Sequence, residues 1–248
     1  MLRQPGKVII GVVVVTASLV LGFDAAMYAS AWYYRHEAER LLECTKALNP
    51  GTTTYAEFQD RIRPFQKYLS HGYEGMSGRA EITTDDYGMT NYPPWGLAIL
   101  RQLPDRITEF NVKHLMLYGT AFSVSPRFQN GRLSVLYVRE DQDDVDGIHP
   151  FVGALNAYDQ SAEEGDPHFE HGAFKGYRVG PYIEQSEDSH GNLFGTPWTI
   201  RMYVDIDGRA TDKEKRLAYS FNLACFTNIH GCRDATQILN PAPDRPEP

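Results

Sequence analysis

The chain has 248 residues, 42% of them hydrophobic and 12% aromatic, and a formal net charge of −8. That length and apolar content suit one domain with a substantial core, or two small ones, once a short terminal segment is set aside. The acidic balance speaks against nucleic acid as a partner and against docking on an anionic lipid surface, since both need basic patches.

Val8–Phe23 (VIIGVVVVTASLVLGF) carries no charge, and Thr16 and Ser18 are its polar members. A helix that crosses a bilayer takes about 20 mostly apolar residues. Asp24 interrupts the run, and AAMYASAWYY then carries the apolar character to Tyr34. Read as one helix, residues 8–34 can span, with Asp24 near the outer headgroups, where a carboxylate costs less than at the bilayer centre. Trp32, Tyr33 and Tyr34 form an aromatic belt beyond it. Arg3 and Lys7 precede the run with no acid between them, whereas Arg35 and Arg40 after it are offset by Glu37 and Glu39. The positive-inside bias places the N-terminus in the cytoplasm and the rest outside.

The rival reading is a cleaved signal peptide, with Ala29-Ser30-Ala31 as its A-x-A site, releasing a secreted chain that begins near Trp32. The uncleaved anchor is preferred because the helical pattern runs straight through that site. The expected organisation is a cytoplasmic tip and signal-anchor (1–34), an extracytoplasmic domain including a stalk helix (35–240), and a disordered Pro-rich tail (241–248).

Three cysteines occur, Cys44, Cys225 and Cys232. In an oxidising compartment Cys225 and Cys232, which flank FTNIHG, are the candidate disulfide, and Cys44 is the odd thiol. No N-x-S/T sequon is present.

Tyr34–Leu48 reads as a stalk helix with one apolar stripe, ended by Asn49-Pro50-Gly51. Thr54 and Glu57 are placed for a capping box on a second helix, which Pro64 kinks or divides. His71-Gly72 and the glycines at 75 and 78 mark a loop, and Arg79–Asp85 a strand. Tyr92-Pro93-Pro94 is a break before a short helix, Trp95–Leu103. Val112–Ser125 reads as a strand with a bulge at Gly119, and Asn130-Gly131 is a hairpin turn into the strand Arg132–Arg139. Glu140–Gly147 reads as an acidic loop. Lys175–Ile183 is a strand, and Ser186–Pro197 is a loop. Trp198–Asp205 alternates, with Trp198, Ile200, Met202 and Val204 facing the core. Asp207-Gly208 turns into a charged link, Asp212–Arg216. Leu217–Cys225 is expected to pair back as a strand, and Arg233–Leu239 to form a final helix. Helices first and antiparallel strands after indicate an α+β fold: a membrane and stalk helix, then a single domain with one sheet of five to seven strands.

Chemical motifs are sparse. A calcium loop aligned on Gly147 puts Gln142 and Gly153 where ligands are required, and one aligned on Gly208 puts Tyr203 first, so Asp205 and Asp207 read as a strand end and turn. His149, His168, His171 and His190 fall within one third of the chain, and neutral imidazoles suit zinc. His168-x-x-His171 is not H-E-x-x-H, and surface histidines in a polar loop are the commoner case, so no cofactor is assigned. Gly75-Met76-Ser77-Gly78-Arg79 lacks the last glycine of a nucleophile elbow. No catalytic residue is assigned.

Residues 48–63, LNPGTTTYAEFQDRIR, resemble the turn-plus-helix opening of small outer-membrane assembly lipoproteins of the SmpA type. The likeness covers under a tenth of the chain, and Asp24 and Ala25 stand where a lipobox cysteine would. No function follows from it. The leading expectation is a membrane-anchored binding or structural module that meets an envelope protein or wall component. The alternatives are a metal-dependent hydrolase using the His149–His190 region, and an accessory subunit of a membrane complex.

Overall fold

A computed structural model describes residues 5–77, 79–100, 102, 119–143, 177–185, 198–217, 219–228, 231–232 and 238. Helix α1 runs unbroken over Pro5–Thr45. Among the described residues it is the one helix long and apolar enough to cross a membrane. Its two halves live in different surroundings. Ile10, Val12, Val13, Val14, Val15, Leu19 and Leu21 are exposed, whereas Ala38, Leu41 and Leu42 lie in the main core.

Thr54 then caps α2 (Tyr55–Ile62) with the expected box: its hydroxyl accepts from the Glu57 N–H, and the Glu57 carboxylate accepts from the Thr54 N–H. Pro64 removes a helical donor at the junction, and the chain tightens into a 3-10 segment, Arg63–Tyr68.

Among the described residues six strands follow: β1 (Leu69–Ser77), β2 (Ala80–Thr90), β3 (Thr120–Gln129), β4 (Arg132–Asp143), β5 (Tyr177–Gln185) and β6 (Trp198–Asp207). They form one sheet of order β1-β2-β3-β4-β6-β5, antiparallel at every pairing. Asn130 and Gly131 both take positive φ, as the tight β3–β4 turn demands. Helix α3 (Pro94–Leu100) leaves the end of β2, and α4 (Asp212–Leu217) and a 3-10 segment, Leu223–Thr227, follow β6.

The core lies on one face of the sheet. Register puts Tyr87 and Met89 of β2, Phe122 and Val124 of β3, Leu136 and Val138 of β4, and Val204 and Ile206 of β6 side by side. Helix α1, Phe58 and Ile62 of α2, Phe65, and Leu223 and Phe226 pack into the same cluster. Aromatic contacts lock α2 to the sheet, with Phe58 edge-on to Tyr87 at 5.8 Å and tilted against Phe128 at 5.2 Å.

The structure corrects several expectations. His71-Gly72 and Gly75 lie in strand β1, not in a loop. An edge strand tolerates glycine, and Gly75 leaves room for the Tyr73 ring, which any Cβ there would meet. The acidic stretch is not wholly a loop, because Glu140–Asp143 continues β4 between β3 and β6. Cross-strand pairing on both sides outweighs the poor strand propensity of these residues. Leu217–Cys225 does not pair back as a strand, and Asp212–Leu217 is helical. The irregularity in β3 falls between Arg127 and Phe128 rather than at Gly119. The first part of the Val112–Ser125 strand, residues 186–197, most of the final helix and the tail lie outside the described residues.

Candidate functional site

Polar side chains converge at the end of the sheet where β2 and β4 finish and β3 begins. Asn91 stands just past β2. Its carboxamide accepts from the Thr120 N–H at 3.0 Å and donates to the Phe226 carbonyl at 3.2 Å. The Thr120 hydroxyl reaches the Cys225 carbonyl at 3.5 Å. On β4, Gln142 Oε1 accepts from the Cys232 N–H at 2.5 Å. Arg35 of α1 donates to the Thr227 hydroxyl at 3.0 Å and pairs with Glu39 at 2.8 Å. These contacts hold residues 225–227 and Cys232 against α1 and the sheet. Cys225 and Cys232 are joined by a disulfide, and Cys44 is a free, partly buried thiol.

Glu140 sits two residues before Gln142 on the core face, between Phe122 and Met202 in register. It is fully buried, and among the described residues neither carboxylate oxygen has a hydrogen-bond partner. Burial pushes its carboxyl well above the usual range, Asp141 adds to the shift, and Arg35 opposes it weakly. A neutral Glu140 is the state that this environment favours.

A second polar row crosses the opposite face. Ser125, Tyr137 and Asp205 are in register across β3, β4 and β6, and all are buried. The Ser125 hydroxyl donates to Asp86 at 2.5 Å. Asp207, at the strand end, accepts from the Arg209 backbone at 2.7 Å and pairs with its guanidinium. That accounts for Asp207 as a turn residue, in place of a cation ligand.

Nearer the bare half of α1, a smaller cluster joins Met27, Tyr92 and Leu100, with Phe23 and Leu97 at its edge. Trp95 meets Phe23 edge-on at 5.9 Å. Asp24 is buried there, and with burial it helps push the Tyr92 phenol above its ordinary range.

His149, His168, His171 and His190 lie outside the described residues, so nothing here brings them together. Among the described residues, no group of three or more His, Cys, Asp or Glu side chains could hold a metal ion. The residues missed from sequence are Glu140, Gln142 and Asn91. Their signal was present for Gln142 and Glu140, whose period-two spacing continues Leu136 and Val138 onto the core face. No family model, curated protein or solved structure matches the chain.

Proposed function

We propose that the protein is a single-pass, membrane-tethered module whose sheet domain faces the extracytoplasmic space and recruits an envelope protein or wall component without catalysing a reaction. The observation that carries this reading is the division of α1. One continuous helix leaves a row of large aliphatic side chains bare at its N-terminal half and buries Ala38, Leu41 and Leu42 in the domain core at the other. A contiguous aliphatic surface of that extent suits acyl chains, not water. Arg3 and Lys7 before the run favour a cytoplasmic N-terminus. A disulfide suits an oxidising compartment.

The uninterrupted passage from anchor into core mounts the domain stiffly on the bilayer. The edge strand β1 supports a recruiting role: among the described residues it pairs on one side, with β2, and it leaves Leu69, Tyr73 and Met76 exposed.

Metal analysis of the full chain, purified in detergent, tests the non-catalytic reading. The expected result is no stoichiometric zinc and a melting temperature indifferent to chelator. One zinc per chain, lost in the variant His168→Ala with His171→Ala, would replace this reading with the metal-dependent hydrolase.

A further inference from the structure

We propose that α3 is a second membrane contact, with Trp95 and Ile99 seated in the outer-leaflet interface beside α1. This inference rests on the reading that α1 spans the bilayer. Helix α3 (PWGLAIL) contains no charged residue. Its inward side is fixed to α1: Leu100 is buried with Met27, Leu97 packs on the same cluster, and a Cβ on Gly96 would collide with the Met27 thioether. Its outward side is apolar. Trp95 and Ile99, four positions apart and so on one helical face, are 42% and 43% exposed.

The height of this patch is set by α1. At about 1.5 Å rise per residue, Phe23 and Met27 stand roughly 22 and 28 Å from Val8 along the helix. A hydrocarbon core is about 30 Å thick, so α3 meets α1 at the level where acyl chains give way to headgroups. Tryptophan is favoured at that level, because its ring prefers the apolar side and its N–H the wet side. Trp32 and Tyr33, exposed on α1 one to two turns further out, continue the same belt.

Asp24 provides an independent reason. It is the one acid within the apolar stretch, it is buried, and Tyr92, two residues ahead of α3 and in the same cluster as Met27 and Leu100, lies near enough to feel its charge. Packing α3 there screens a carboxylate from the acyl chains. The patch is thus continuous with the bare flank of α1, and a lipid leaflet is the occupant that covers both.

The full chain carrying Trp32→Phe and Trp198→Phe, reconstituted in phosphatidylcholine vesicles, reports on Trp95 alone. The expected result is blue-shifted emission, lost more to lipid with a nitroxide at a shallow acyl position than to one labelled near the bilayer centre. Trp95 emission untouched by either lipid, in a chain that still resists alkaline carbonate, overturns this inference and leaves the anchor standing. A chain stripped by carbonate overturns the anchor, and the inference with it. A nitroxide on Ile99→Cys in a Cys44→Ser chain is the second readout, independent of the tryptophan changes. Greater access to oxygen than to a water-soluble nickel complex supports the seat in lipid, and the reverse overturns it.

Discussion

Gln142 accepts a hydrogen bond from the Cys232 N–H although the two residues are 90 positions apart in the chain. Gly231 makes that approach possible. Its φ is +54°, and a Cβ would run into the Gln142 carboxamide. Gly131 also has positive φ but faces open space. Gly131→Ala therefore carries backbone strain alone, about 1–2 kcal/mol, whereas Gly231→Ala adds a collision. Denaturant unfolding of the two variants should show the larger loss at 231. Equal losses would mean that the disulfide segment is not clamped to β4.

Glu140 makes stability depend on pH. Its folded-state pKa is raised, so above the unfolded value of about 4.3 the unfolded chain gives up a proton that the folded protein keeps. The contribution is complete below that value and is lost at about 1.4 kcal/mol per pH unit as pH rises toward the folded pKa. Glu140→Gln removes this slope. Melting curves of wild type and variant should draw apart in the variant's favour as pH rises from 5 to 8. Parallel curves would contradict a buried, neutral carboxyl.

The legible parts of the fold are those fixed by short-range chemistry. The Thr54–Glu57 box, the division at Pro64 and the Asn130-Gly131 turn each depend on residues within a few positions. The antiparallel sheet followed from alternation. What stayed hidden was non-local. Glu140–Asp143 looks like a loop by composition, and it is a strand because β3 and β6 flank it. His71-Gly72 looks like a loop, and it lies in a strand because β2 holds it. The polar cluster joining Arg35, Asn91, Gln142 and Thr227 draws on four separate stretches, and no local pattern announces such a meeting.

Glu37 ties α1 to the 3-10 segment after α2. Its side chain is 6% exposed and accepts from Arg40, from Tyr68 at 3.1 Å and from Lys67 at 3.3 Å. Burial works against its charge, but the bonds from Lys67, Tyr68 and Arg40 outweigh it and hold the carboxyl below its usual range. That stability is present above the unfolded pKa and is lost as pH falls through the folded one. Glu37→Gln should melt lower than wild type at pH 7 and show a flatter acid limb. An unchanged acid limb would contradict the assignment.

The thiol inventory is equally specific. Denatured, unreduced protein should present one reactive thiol, Cys44, because Cys225 and Cys232 are paired. Replacing both with serine should cost about 2–3 kcal/mol, the expectation for so short a loop. Three reactive thiols would contradict the pairing.

The most direct test of the whole account is the intact mass of the chain recovered from membranes washed with alkaline carbonate. The prediction is a full-length protein, its N-terminal segment uncleaved, retained in the lipid pellet. Recovery in the wash, or a mature chain beginning near Trp32, would contradict it.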